Sequence, residues 1–197
     1  TAEATEDMYH LAGLSEEDRV FTSAGLAIRK RLPWMVLNLG AVFALAALIG
    51  IFRATIEEFV VLAFFLPVVA GMGGNGGIQT LTVITRGIAL GEIEFSTGLR
   101  AIAKEFWVGT VIGMVTGLLS AGLAYLWHGS PLLGLILFTA MIVTLAVASL
   151  LGAAVPLALK ALRQDPALGA GVIVTTLTDA VAFVVFLGTA SLLLERI

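Results

Sequence analysis

The chain has 197 residues, of which 59% are hydrophobic and 13% charged, and its mean hydropathy is +1.04. This composition lies far outside the range of soluble globular proteins and indicates an integral membrane protein. The absence of cysteine excludes disulfide frameworks, thiolate chemistry and zinc sites built on cysteine. The net charge of −3 is small and says little about partners. We expect no nucleic-acid partner for a protein of this class.

The segment ahead of the first apolar run is polar and then amphipathic. Residues 15–18 resemble a helix-capping signal with an acidic first turn, and apolar residues then recur at helical spacing as far as the basic run 29–31. We interpret residues 16–32 as an amphipathic helix lying along the membrane surface. An ordinary helix from a soluble domain has the same pattern and remains the alternative.

Five apolar runs follow, each long enough to cross a hydrocarbon core of about 30 Å. The fourth run is the longest, and a helix of that length must tilt, kink or extend beyond the bilayer. The sequence therefore predicts an all-α polytopic membrane protein, with spans at or within residues 33–52, 59–85, 106–127, 129–159 and 166–194.

The distribution of lysine and arginine predicts the orientation of these spans. Nine of the eleven basic residues lie before span one, between spans two and three, or between spans four and five, which are all on one side of the membrane. The opposite side has only Arg53 and Arg196. Basic residues are concentrated in cytoplasmic segments. We therefore expect a cytoplasmic N-terminus and a C-terminus outside.

The second run is free of charge, yet its middle is a poor helix former. Five of the seven residues 71–77 are glycine, and Pro67 lies one turn upstream. Proline kinks a helix and glycine leaves backbone carbonyls uncovered, so we expect irregular or bare backbone here. At membrane depth such backbone is tolerated only where it is buried in protein or lines a water-filled cavity. Because Asn75 and Gln79 share a face, we interpret the stretch as the lining of a cavity or pore. Close helix packing alone is the alternative.

The fifth run is interrupted by one charge, Asp179, close to the middle of the bilayer. A carboxylate at that depth costs about 2.5–3.5 kcal/mol on insertion scales. Since no predicted span contains lysine or arginine, the partner must be a proton, hydrogen-bond donors or a cation. Thr175 lies one turn earlier and shares its face. We interpret Asp179 as a functional group; a protonated aspartate hydrogen-bonded between helices is the structural alternative.

Together these two stretches offer oxygen ligands, namely bare carbonyls around Gly71, the amides of Asn75 and Gln79, and the Asp179 carboxylate. Oxygen ligands select hard cations, and the residues do not choose among Mg²⁺, Ca²⁺ and Mn²⁺. One carboxylate leaves a divalent ion positive, whereas two on the axis of a homodimer would neutralise it. Spaced carbonyls suit a hydrated ion, because Mg²⁺ gives up its waters reluctantly.

These residues resemble a known family, the MgtE magnesium channels. Residues 67–79, Pro-Val-Val-Ala-Gly-Met-Gly-Gly-Asn-Gly-Gly-Ile-Gln, followed by Thr-Arg-Gly-Ile-Ala-Leu-Gly-Glu at 85–92, closely resemble the signature of that family's second helix. Residues 31–34, Arg-Leu-Pro-Trp, match its entry into the first span, and residues 175–179, Thr-Thr-Leu-Thr-Asp, match its last span. The resemblance covers residue 29 to the C-terminus.

The resemblance implies a homodimeric Mg²⁺ channel in the lipid of a bacterial inner membrane, with its pore on the dimer axis. By carry-over, the ion site uses the Asp179 carboxylate, with Gly71, Asn75 and the carbonyl of Thr175 nearby, and Mn²⁺ or Ca²⁺ are further ions that could bind. It also divides the chain into the end of a cytoplasmic CBS region, a connecting or plug helix, and a five-helix transmembrane domain, at residues 1–15, 16–32 and 33–197.

Several functions remain open at this point. A passive Mg²⁺ channel leads, and a coupled transporter exchanging Mg²⁺ for Na⁺ or H⁺ is the alternative. An intramembrane enzyme would need a second aspartate, a serine with a histidine, or a zinc set at depth, so we predict no catalytic residues and no cofactor apart from the ion. A scaffold would tolerate the loss of Asp179. Without CBS domains, we expect activity over a wider Mg²⁺ range than in a full-length relative.

Overall fold

The computed structural model describes residues 10–12, 14, 20–93, 95–167 and 169–194, without the side chains of residues 95 and 96. Within these ranges the chain is helical and contains no strand. Five long helices are apolar enough to cross a membrane, which confirms the predicted all-α fold with five spans. The helices are α1 (Ala24–Gly50), α2 (Arg53–Glu58), α3 (Val61–Ala89), α4 (Phe95–His128), α5 (Pro131–Ala161) and α6 (Ala170–Leu194).

The segment before the first span is only partly described. Residues 20–22 form a turn and a bend, and α1 then continues through Pro33 into the first span as one helix. Residues 1–9, 13 and 15–19 lie outside the described ranges. A separate surface helix over residues 16–32 is therefore not confirmed, and the division of the chain into three parts stays a prediction.

The helix α5 is the centre of the bundle. It packs against α4, α3 and α6, and buried side chains lie along most of its length. In contrast α1, all of whose residues are described, has no fully buried side chain and packs mainly against α6. The Trp34 ring of α1 lies over Gly169, where a Cβ would come within 2.7 Å of the ring. Four helices therefore form the core, and α1 lies at its edge.

Glycines allow α4 and α5 to approach at backbone distance. Gly109, Gly113 and Gly117 are four residues apart and share one face of α4. A Cβ at Gly113 would lie 2.8 Å from the Cα of Ile142 and 2.9 Å from the carbonyl oxygen of Met141. Lipid tails are as apolar as leucine, so helices in a membrane associate through close van der Waals packing of this kind.

A second close crossing joins α3 to α5. A Cβ at Gly152 of α5 would lie 2.5 Å from the carbonyl oxygen of Gly77. The glycine-rich stretch is nevertheless α-helical throughout, with Pro67 inside the helix. Irregular backbone is therefore not found in this stretch, because side chains of neighbouring helices pack over Gly73, Gly76 and Gly77, whereas the backbone at Gly71 is bare.

The α4–α5 crossing gives a matched test. Gly113→Ala places a methyl group against the backbone of α5, so the two helices must separate, and we expect a loss of about 1–3 kcal/mol in the free energy of unfolding. Gly122→Ala in the same helix meets no atom within 4 Å and should be neutral or slightly stabilising. Unfolding of both variants in mixed micelles measures the difference. Equal stabilities would contradict the packing described here.

Candidate functional site

The helix α6 carries the predicted site residues Thr175 and Asp179. The Thr175 hydroxyl donates to the carbonyl oxygens of Gly171 and Val172, at 3.0 and 3.1 Å. The buried Thr178 hydroxyl donates to the carbonyl oxygen of Thr175 at 2.9 Å. That oxygen also accepts the helical N–H four residues later, so both of its lone pairs are engaged. A direct bond from it to a cation would replace one of these hydrogen bonds.

The carboxylate of Asp179 is half-buried, and no described residue pairs with it. A Cβ placed at Gly74 of α3 would lie 4.0 Å from its Oδ1 atom and 3.9 Å from the Cγ2 atom of Thr175. Gly74 therefore leaves a space beside the carboxylate that any larger residue would narrow. The structure brings Asp179, Thr175 and Gly74 together where α6 passes α3.

The glycines of α3 divide into two groups. Gly73, Gly76 and Gly77 serve packing, since a Cβ on them would lie 2.7 Å from Thr144, 2.6 Å from Leu145 and 2.8 Å from Val174. Gly71 is exposed, and a Cβ there would meet no atom within 4 Å. The stretch thus combines close packing on one face with open backbone on another. Close helix packing applies to Gly73, Gly76 and Gly77, and open backbone of the kind expected in a cavity or pore lining applies to Gly71.

Asn75 and Gln79 lie on another face of α3. Both side chains are exposed, and both line a cavity of about 360 Å³ between α3, α4 and α5. Since Gly74 and Asn75 are successive residues, their directions differ by about 100° around the helix. The structure therefore places Gly71 and Asn75 on the open surface that flanks Asp179, rather than in one closed cluster with it.

Sequence reasoning missed two residues. Gly74 was one glycine among five, and only the position of α6 distinguishes it. Glu105 precedes the predicted third span by one residue, yet α4 extends past it and its carboxylate is buried in the cavity wall, with 6% of the residue exposed. The sequence contained a signal for Glu105. It lies four residues before Gly109, so in a continuous helix the two residues share a face, and a face that packs against another helix at Gly109 also buries Glu105.

Acidic ligands are sparse in the described part of the chain. No group of three or more histidine, aspartate or glutamate side chains lies close enough there to hold a metal ion. A dense carboxylate cage of the kind that strips a divalent ion of water is thus absent from the described ranges. The chemistry that this arrangement offers is one membrane-embedded carboxylate beside open glycine backbone.

Comparison with known proteins identifies the family. The family model MgtE, described as a divalent cation transporter, matches residues 66–189. Three relatives are named magnesium transporter MgtE. The Bacillus subtilis protein is 34% identical to this chain, and the match covers 96% of this chain and 42% of that relative. The Thermus thermophilus and Enterococcus faecalis proteins are each 33% identical; their matches cover 100% and 98% of this chain, and 44% and 42% of the relatives.

The chain belongs to the MgtE family. The region matched by the family model includes the glycine-rich stretch of α3 and Asp179 of α6. The chain spans less than half the length of these MgtE relatives.

The two groups of glycines in this MgtE chain should respond differently to substitution. Gly74→Ala makes only ordinary van der Waals contacts, so we expect normal stability. On the hypothesis that Asp179 binds a divalent cation, we also expect weaker binding of that cation, because the methyl group excludes water beside the carboxylate. Gly77→Ala should lower the free energy of unfolding by about 1–3 kcal/mol. Thermal unfolding with and without Mg²⁺ measures both effects. If Gly74→Ala keeps the full stabilisation by Mg²⁺, Gly74 does not border the ion site.

Proposed function

We propose that this chain forms the pore of a Mg²⁺ channel, with Asp179 as the residue that binds the ion. The observation that carries the proposal is the half-buried carboxylate of Asp179, which has no partner among the described residues and lies beside Gly74 on a surface shared by α3 and α6. A charge at that depth needs a partner. A passing cation supplies one, and membership of the MgtE family favours Mg²⁺.

The partner chain in this proposal is a second copy of the same chain. The open face of α3 presents the bare backbone of Gly71 and the carboxamide of Asn75, both exposed. Polar groups facing lipid are unfavourable, whereas the same groups facing a wet pore are satisfied. A two-fold axis beside this face brings two Asp179 carboxylates together, and two negative charges balance one divalent ion.

The ion in this pore keeps its water. Mg²⁺ dehydrates reluctantly, and the carbonyl of Thr175, which already accepts two hydrogen bonds, is a poor direct ligand. Mg²⁺ usually retains several waters, which can donate to Asp179, to the carbonyl of Gly71 and to the amide of Asn75. On this account the chain selects an ion by the size of its hydration shell, and Mn²⁺ and Ca²⁺ are its nearest competitors.

The proposed orientation follows the distribution of basic residues. Residues 1–32, 86–105 and 160–165, which precede the first predicted span or separate the second from the third and the fourth from the fifth, carry nine of the eleven lysines and arginines. These parts of the chain therefore lie in the cytoplasm. The C-terminus then lies outside a bacterial inner membrane. The short helix α2, with an ion pair between Arg53 and Glu57 at 2.6 Å, lies on the outer side.

Asp179→Asn tests the role of the carboxylate, because it preserves shape and removes charge. We expect Mg²⁺ flux into proteoliposomes to fall at least about a hundredfold, since a pore without fixed negative charge no longer offsets the cost of placing the charge of the hydrated ion at membrane depth. Glu58→Gln removes an exposed charge on the outer side and serves as control. Normal flux through Asp179→Asn would refute the assignment.

Electrical recording from the same membranes separates the channel from coupled exchange. A channel passes unitary Mg²⁺ currents that reverse at the Mg²⁺ equilibrium potential. An exchanger passes none, and its Mg²⁺ flux depends on a gradient of Na⁺ or H⁺. Flux without unitary current would replace the channel by the exchanger.

A further inference from the structure

A second polar site lies on the other side of α3 from Asp179. The cavity between α3, α4 and α5 holds about 360 Å³, or roughly a dozen waters at about 30 Å³ each. Its apolar walls come from side chains such as Val108 and Leu145. Its polar lining consists of Asn75, Gln79, Thr80, Lys104, Glu105 and Ser149.

This cavity is distinct from the surface at Asp179. Gly74 faces Asp179, whereas Gly76 lines the cavity. Two residues along a helix correspond to directions about 160° apart. The two sites therefore lie on nearly opposite sides of α3, and among the described residues Asn75 alone belongs to both the cavity and the proposed pore surface.

The acidic group in the described lining of the cavity is the carboxylate of Glu105. It accepts a long hydrogen bond of 3.4 Å from the Thr80 hydroxyl, and its Oε1 atom lies 2.7 Å from the Lys104 ammonium. Exposure of the two partners is unequal, since 7% of the Glu105 side chain and 67% of the Lys104 side chain are accessible. A buried carboxylate is thus balanced by one ammonium that reaches in from outside.

The ammonium of Lys104 indicates what the cavity can hold. One carboxylate with one ammonium is neutral, so the site is balanced for a single positive charge. An ion pair with an exposed lysine contributes little to the free energy of folding, because solvent screens the attraction and the long side chain loses conformational freedom. A free monovalent cation can replace the ammonium without changing the total charge, whereas a divalent ion would leave an excess positive charge in a largely apolar wall.

We propose that this cavity is a binding site for a small hard monovalent cation of the Na⁺ class, with Glu105 as its charged ligand and Lys104 as the group that the ion displaces. Neutral oxygens come from Thr80, Ser149 and Gln79, and oxygen ligands suit hard cations. The ion keeps part of its water, for which the cavity has room. This site is independent of the proposed Mg²⁺ channel and does not require it.

The test measures stabilisation by Na⁺ in the Asp179→Asn background, where the first site no longer contributes. Thermal unfolding is recorded in detergent at constant ionic strength while N-methylglucamine chloride is replaced by NaCl. A ligand that binds the folded state raises the unfolding temperature in a saturable manner. We expect such a rise, and its absence would overturn the proposal.

Three further variants in that background identify the ligands. Glu105→Gln should raise the Na⁺ concentration at half-effect at least about tenfold, because it removes the charged ligand. Lys104→Gln should lower it about two- to fivefold, because it removes the competing ammonium. Glu92→Gln, an exposed glutamate outside the cavity, is the matched control and should change nothing. Equal behaviour of Glu105→Gln and Glu92→Gln, or no shift in Lys104→Gln, would refute the site.

Two additional measurements keep the test decisive. If Glu105→Gln does not fold, Thr80→Val is the substitute variant, because it keeps the carboxylate and removes one oxygen ligand. It should weaken Na⁺ binding severalfold, and unchanged binding would count against the site.

A titration with MgCl₂ checks the charge of the bound ion. Stabilisation by Mg²⁺ at a lower concentration than Na⁺ would overturn the assignment to a monovalent cation.

Discussion

The cost of one carboxylate at membrane depth is the constraint on which the rest of the structure depends. Asp179 lies in a helix that is otherwise apolar along most of its length, and no described side chain pairs with it. Burying an unpaired charge in hydrocarbon is unfavourable by several kcal/mol. The residue can persist only if its surroundings admit water, a proton or a cation, and the open backbone at Gly74 and Gly71 leaves room for them.

Packing determines where that carboxylate lies. The helix α6 is held against α3 by contacts in which glycine receives a side chain, as where Val174 and Thr178 fill the space over Gly77. The same part of α3 also touches α5, where the carbonyl oxygen of Gly77 lies against Gly152. These crossings use van der Waals contact, the main attraction left between helices in lipid. A methyl group at a packing glycine shifts α6, so the geometry of the site and the stability of the bundle depend on the same contacts.

The sequence predicted the five spans and the importance of α3 and α6 because hydropathy and a charge at depth are local signals. It did not predict that α3 remains helical through its glycines, because the side chains that support it come from α5 and α6. It could not separate Gly74 from its neighbours for the same reason. Glu105 was missed because hydropathy ends a span at the first charge, while the helix and its burial continue beyond it.

Asp179 and Glu105 represent two ways of holding a carboxylate in a membrane protein. Glu105 is buried and balanced by Lys104 within its own chain. Asp179 is half-exposed and lacks such a partner among the described residues, so on our account a second chain and a divalent ion complete its surroundings. The difference in exposure explains why only one of them is assigned to the pore.

The number of divalent ions bound per chain tests this account most directly. Mn²⁺, which has the same preference for oxygen ligands, can be counted by electron paramagnetic resonance in the purified chain and in Asp179→Asn. We predict that the substitution removes one ion for every two chains, because two Asp179 carboxylates share one ion on a two-fold axis. Loss of one ion per chain, or no loss at all, would contradict the shared site at the centre of the proposed pore.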